Sequence, residues 1–342
     1  MTTTATPAPA KGSDDAGIKG ADSGGGNALT RQPWWPWAKR IVVWGFFALI
    51  AWLLFKQAHT IDWPEVFVAM KALPLRTLLI AGAVAAMSFA LYSTYDLLGR
   101  YLTGHKLGTG TVMGVTFISY AFNLNLGSLV GGVAFRYRLY SKLGLDNDTI
   151  TRVLGFSMLT NWFGYLVVAG IAFCFFPMTL PPDWKIDSGG LRLLGAALLA
   201  LAAAYLVTCA VSKRRSWTVR GHELQVPTFR MALLQLVMSC TNWSLIGGVI
   251  WFLLQGEVAY PQVLAVLLVA AVAGVITHVP AGLGVLEAVF VALLSHQMAQ
   301  GKLLGALLAY RALYYLLPLA VATVAFLVTE LRAKRLAAHA QA

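Results

Sequence analysis

The sequence predicts an all-α polytopic membrane protein with about six full spans and two broken, re-entrant segments in an inverted-topology repeat. Three observations predict it. Of 342 residues, 58% are hydrophobic and 12% charged, with a mean hydropathy of +0.69, whereas soluble domains carry roughly 25% charged residues. Apolar runs recur at 41–55, 77–98, 111–135, 150–177, 193–211, 231–254, 262–277, 283–295 and 303–328. Several reach the roughly 20 residues needed to cross hydrocarbon, and backbone in that medium must be helical to satisfy its own polar groups. Finally, two of the runs are interrupted by Gly, Pro or Asn at corresponding places in the two halves of the chain. The weak alternation excludes a transmembrane barrel.

Residues 1–35 form the first region, a cytoplasmic tail expected to be disordered: Thr, Ala, Pro, Gly, Ser and Asp dominate it and leave little to bury. Trp34, Trp35 and Trp37 fit an interfacial belt. The run at 41–55 starts too late for a cleaved signal and follows Lys39 and Arg40, so it reads as an uncleaved first span. Basic residues collect in the N-terminal tail, around Lys213, Arg214, Arg215, Arg220 and Arg230, and in the tail 332–342 with Arg332, Lys334 and Arg335. The positive-inside rule places all three, and both termini, in the cytoplasm. The net charge of +12 is thereby explained by orientation, not by nucleic-acid binding. Cys174, Cys209 and Cys240 stand singly in apolar runs and read as packing residues; neither a disulfide framework nor a metal site is expected.

The connections 178–190 and 255–261, with Lys185 against Asp183, Asp187 and Glu257, belong outside. Spans 77–98 and 150–177 must then both meet the cytoplasm at the ends facing 111–135, so that run makes an even number of crossings, most simply none. Asn123, Asn125, Gly127, Gly131 and Gly132 break it into arms of about 12 residues, or about 18 Å each, which predicts a re-entrant hairpin from the cytoplasm. In 262–298 the same device is built from Pro280, Gly282 and Gly284; charge counting leaves a hairpin and two short spans both open there. Halves of about 77–177 and 231–328, in opposite orientation and joined by span 193–211, make the inverted repeat, and such breaks point to a transport site near the midplane.

Ionisable residues inside apolar runs cost a few kcal/mol each and are functional candidates by default. Asp96, Glu287 and Arg311 qualify. Glu287 follows the second break, where the helix dipole favours an anion; it either completes the helix start or serves as a proton- or ion-linked gate. Arg311, flanked by Tyr310, Tyr314 and Tyr315, pairs with Glu287 or binds an anionic headgroup, and the two roles are compatible. Asp96 is spaced to pair with Arg100 along one helix, or to share in coupling. His278 precedes the second break and belongs to the residue type used for proton-linked switching. Asn161 and Asn242 read as interhelical hydrogen-bonding groups. The densest cluster is GGVAFRYRLYSKLGL at 131–145, where Arg136, Arg138 and Lys142 follow the first break. Arginine grips phosphate with a rigid fork of donors; the plainer reading is a basic cluster snorkelling to headgroups. Arg136 and Tyr140 share a helix face, and Arg138 points elsewhere. The sequence contains no P-loop and no Ser/His/Asp constellation, so no enzyme and no cofactor is expected.

The segments SYAFNLNLGSLVGGVAFRYRLYSKLGL (119–145), TNWFGYL (160–166), HVPAGLGVLEAVFVALL (278–294) and LLAYRALYYLLPL (307–319) resemble the YbhN family of bacterial inner-membrane proteins, itself similar to the transmembrane flippase region of lysylphosphatidylglycerol synthases. The resemblance implies a flippase-like transmembrane domain over 36–331 in the bacterial inner membrane, with Gly131, Gly132, Arg136, Arg138, Pro280, Gly282, Gly284, Glu287 and Arg311 on motif positions. The synthases' soluble aminoacyl-transferase domain is missing, so lysine transfer is not expected. The expected function is translocation of phospholipids with anionic headgroups, Arg136, Arg138, Tyr140 and Arg311 handling the headgroup and Glu287, Asp96 and His278 gating or coupling. Two alternatives stand beside it. One is a scaffold partnering a phospholipid synthase; the other is a lipid-modifying enzyme relying on Asp146 or Asp148, residues better placed to cap the helix near Ile150.

Overall fold

The computed structural model describes residues 63–176, 187–212, 216–219, 222–277, 279 and 282–339. The expected tail at 1–35, the tryptophan belt, the span 41–55, the cluster Lys213, Arg214 and Arg215, and the candidates His278 and Pro280 lie outside these residues, as do the side chains of the C-terminal basic tail.

The described chain is almost wholly helical. The short helix α1 (Trp63–Lys71) is followed by α2 (Leu75–Ser93) and α3 (Tyr95–Thr103), two parts of one long rod interrupted at Thr94. There Ser93 Oγ donates to the Phe89 carbonyl at 2.7 Å and Thr94 Oγ1 to the Leu91 carbonyl at 2.6 Å, the back-bonding that bends helices. Next come α4 (Thr109–Leu126), a π-helical segment (Ser128–Ala134), α5 (Phe135–Lys142), α6 (Asn147–Phe175) and α7 (Ser188–Val211). The second half holds α8 (Phe229–Leu253), α9 (Tyr260–Thr277), α10 (Val285–Leu294), α11 (Gln300–Arg311), a second π-helical segment (Ala312–Leu316) and α12 (Leu317–His339).

Among the described residues, six helices are long and apolar enough to span a membrane: Leu75–Thr103, Asn147–Phe175, Ser188–Val211, Phe229–Leu253, Tyr260–Thr277 and Gln300–Thr329. Five coincide with expected spans. The sixth, α9, lies in the region expected to be broken. Its 18 residues extend about 27 Å, so 262–298, for which the sequence leaves a hairpin and two short spans both open, folds as one helix of spanning length and one short helix, α10.

The first interruption also falls differently from the expectation. α4 runs unbroken through Asn123 and Asn125 and ends at Gly127, whose φ of 85° and ψ of 167° are open almost only to glycine. Asn125 stays helical because its Nδ2 donates to the Ala121 carbonyl one turn back, at 2.8 Å. Gly131 and Gly132 do not break the chain either; they let its two arms touch. A Cβ on Gly131 would lie 2.2 Å from the backbone carbon and oxygen of Phe122, and one on Gly132 2.9 Å from Asn123 Oδ1. α4 and the 128–142 arm therefore form a tight helical hairpin about Gly127.

An all-α expectation also missed a small β-hairpin between α7 and α8, in which β1 (Ser216–Val219) pairs antiparallel with β2 (His222–Gln225), Trp217 opposite Leu224. Its signal was present: two four-residue stretches separated by two residues, one of them Gly221.

Small residues set the helix crossings. A Cβ on Gly164 of α6 would lie 2.1 Å from Ser239 Oγ of α8, and one on Gly99 of α3 would meet Val153 of α6 at 2.9 Å. In a bilayer, where apolar lipid removes most of the hydrophobic drive between helices, such close approach supplies the packing energy.

Candidate functional site: two ion pairs at the broken segments

Asp96 continues the buried stripe of Ala85, Phe89 and Tyr92 past the interruption at Thr94 and is itself fully buried. α5, returning from the Gly127 turn, brings Arg136 against it. Arg136 Nε donates to Asp96 Oδ2 at 3.0 Å and Nη2 to Oδ1 at 3.2 Å. Tyr140 Oη, one turn along α5, donates to Asp96 Oδ2 at 2.9 Å. The guanidinium also reaches Ser157 Oγ of α6 at 3.4 Å and the Gly132 carbonyl at 3.5 Å. Asp96 therefore pairs across the bundle with Arg136, not along its own helix with Arg100. Arg100 instead donates from Nη1 to Thr109 Oγ1 at 2.9 Å. Spacing along one helix favours the nearer partner; Arg136, 40 residues away, lies beyond that range. Arg138, on the other face of α5 as its position predicts, is exposed, with its guanidinium 5.6 Å from the Phe326 ring centre.

At the second interruption, Gly282 and Gly284 adopt left-handed φ values of 56° and 76°, and Gly284 caps α10, which places Glu287 in that helix's first turn. Arg311, at the end of α11, pairs with it. Its Nε donates to Glu287 Oε1, and its Nη2 donates to Glu287 Oε2 at 3.0 Å and to the Gly282 carbonyl at 2.9 Å. The guanidinium lies 5.1 Å from the Tyr315 ring centre. One arginine thus holds both the helix after the break and the backbone of the break.

Between the two pairs runs a buried polar chain. Ser88 Oγ donates to Asn242 Oδ1 at 2.7 Å and accepts from Tyr314 Oη at 2.7 Å, and Tyr314 is in turn bonded to Tyr120 Oη at 3.1 Å. Tyr120 stacks on Tyr92, ring centres 3.6 Å apart. Asn125 Nδ2 also donates to the Tyr315 carbonyl at 3.3 Å, joining the tip of the first hairpin to the π-helical segment after Arg311. Of the two asparagines expected to bond between helices, Asn242 does so through its side chain, while Asn161 accepts through its carbonyl from Ser239 Oγ and Trp243 Nε1. Ser88, Tyr120 and Ser157 were not singled out from sequence. Their only signal was a small or aromatic hydroxyl within an apolar run. Asp146 caps α6, accepting from the Thr149 backbone N–H at 3.0 Å, and Asp148 pairs with Arg152. Among the described residues no three His, Cys, Asp or Glu side chains are grouped to hold a metal ion.

Buried and part-buried ion pairs on interrupted helices inside an apolar bundle define a polytopic membrane protein whose breaks are fixed internally. The chain belongs to the lysylphosphatidylglycerol synthase transmembrane region family, whose match covers residues 40–322. It is 46% identical over 312 residues to the inner membrane protein YbhN of Escherichia coli strain K12, a match covering 91% of this chain and 98% of that one. It is 31% identical over 278 residues to slr0712 of Synechocystis, covering 80% and 86%. A phosphatidylglycerol lysyltransferase of Bacillus subtilis is 25% identical over 274 residues, which cover 77% of this chain but 31% of the enzyme. The protein is thus an inner-membrane protein with several spans.

Proposed function

We propose that the protein translocates phospholipids with anionic headgroups, using the two broken segments as re-entrant halves of an inverted repeat, with both termini cytoplasmic. The observation that carries this reading is the pair of arginine–carboxylate clamps, one buried and one part-buried, one on each interrupted segment, in a family named for lysylphosphatidylglycerol synthases. A carboxylate and a lipid phosphate present the same bidentate acceptor to a guanidinium. A headgroup entering the first hairpin replaces Asp96 at Arg136 while Tyr140 remains as a donor, and Asp96 regains its partner as the headgroup leaves. Arg138, exposed on the same short helix, is the first cation such a headgroup meets. Glu287 and Arg311 act equivalently at the second break, and the buried hydroxyl chain between the clamps offers polar contacts along the route. Acyl chains need no polar route and stay in the bilayer.

The test is headgroup scrambling of fluorescent phosphatidylglycerol in vesicles containing purified protein. Wild type scrambles, and Arg136→Gln combined with Glu287→Gln slows the rate about tenfold, the worth of one charged hydrogen bond. Equal rates in both proteins would sink the site, and wild type matching protein-free vesicles would sink the activity. A second reading, a non-transporting scaffold for a phospholipid synthase, draws on the closure of both clamps, which leaves each arginine already paired. It predicts co-purification with the synthase and no scrambling.

A further inference from the structure

The clamps leave one large feature of the first half unused. Between α2, α4 and the chain that runs from the second π-helical segment into α12 lies a groove of about 470 Å3, within the range of small-molecule sites. Its walls include Gly82, Ala86, Ala90, Phe117, Leu317 and Val321. Leu313 closes one end, 4.0 Å from where a Cβ on Gly82 would stand. At the other end are Ser93 and Met113, and Ser93 turns its hydroxyl back to the Phe89 carbonyl, so the groove gains no hydrogen-bonding partner from it. Ala86, Ala90, Leu317 and Val321 are exposed, and they sit on helices that span the membrane, so the groove opens toward hydrocarbon.

Beyond the Ser93–Met113 end the surface becomes cationic. Thr109, about 6 Å along α4 from Met113, accepts from Arg100 Nη1 at 2.9 Å. Lys106, on the same connection, is exposed. A guanidinium has five N–H donors, and that bond uses one of them. An apolar slot open to lipid and ending below two cations is complementary to a molecule with a hydrocarbon tail and an anionic head.

We propose that this groove seats one acyl chain of an anionic phospholipid whose phosphate is held at Arg100 and Lys106. The proposal rests on the translocator reading for the class of lipid, not for its movement.

Photoreactive benzoylphenylalanine replaces Ala86, and the protein is reconstituted in vesicles of phosphatidylethanolamine with phosphatidylglycerol as the minor component. After irradiation the adducts are identified by mass spectrometry. Phosphatidylglycerol is expected about fivefold above its share of the bilayer, falling to that share in Arg100→Gln. The same probe at Leu79, exposed on α2 outside the groove, reports the bulk share in both backgrounds. A probe at Leu317, on the opposite wall, repeats the measurement if the Ala86 variant does not fold. Bulk composition at both groove positions overturns the proposal, and so do adducts to residues 41–55 of the same chain, which would make that segment the occupant. Scrambling is followed in the same vesicles. Enrichment without scrambling keeps the site and removes the translocator reading, and scrambling with bulk composition does the reverse.

Discussion

The two broken segments solve one problem with the charges exchanged. In the first, the returning helix α5 carries the arginine and the spanning rod supplies Asp96; in the second, the returning helix α10 carries Glu287 and the spanning helix α11 supplies Arg311. Their surroundings differ more than their chemistry. Asp96 is wholly buried and takes three bonds, from Arg136 twice and Tyr140 once, whereas the Glu287 side chain remains 17% exposed and, among the described residues, is held by Arg311. Arg311 in turn braces the Gly282 carbonyl of the break, while the Gly127 turn is held by the contact of its own arms. Burial makes the first clamp the stiffer one, and partial exposure makes the second the easier to open.

Asp96→Asn should therefore cost most. It leaves Arg136 charged, buried and half-partnered, a loss of about 3–5 kcal/mol, read as a drop in melting temperature of the purified protein in detergent. Glu287→Gln, at the less buried pair, should cost about 1.5–3 kcal/mol by the same measurement. The reverse order would overturn the ranking by burial. Gly131→Ala drives a methyl into the Phe122 backbone, where no rotamer change relieves it, and should cost about 1–3 kcal/mol; protease nicking near Gly127 should rise with it if the hairpin opens. The smallest effect belongs to Asp146, at the exposed start of α6. The Thr149 N–H and hydroxyl hold its carboxyl below the usual range, so its contribution is present above the ordinary carboxyl pKa and is lost as the pH falls through the depressed one. Asp146→Asn should lower the melting temperature slightly at neutral pH and make no difference in acid. A constant difference across that range would show that charge is not the cause.

Much of this arrangement was legible in the sequence, and its gaps have physical causes. Bilayer hydrocarbon forces helices on long apolar runs, so each of the six long apolar helices among the described residues falls on a run that hydropathy marks, and only the spanning length of 260–277 was not expected. The partnership of Glu287 with Arg311 was accessible because two isolated charges in apolar runs have few alternatives. What stayed hidden depends on contacts distant in sequence. Asparagine is a poor helix former, and Asn123 and Asn125 look like breaks until Asn125 is seen donating to the preceding turn. Gly131 and Gly132 are as easily read as interruptions as helix contacts. Asp96 and Arg136, 40 residues apart, meet because the chain turns back at Gly127, a contact that periodicity along one helix does not reach. Ser88, Ser157 and Tyr120 carry no pattern at all; only the fold brings them together.

The central claim is that the hairpin arginine both locks the structure and handles the headgroup, and exchanging the first clamp separates the two roles. In a protein carrying Asp96→Arg with Arg136→Asp, the buried pair is reformed but its cation has left the hairpin. The account predicts that the exchanged protein regains most of the melting temperature lost by Asp96→Asn, yet scrambles phosphatidylglycerol no faster than Arg136→Gln. Scrambling restored to the wild-type rate along with stability would contradict it, and would make the clamp a structural fastening alone.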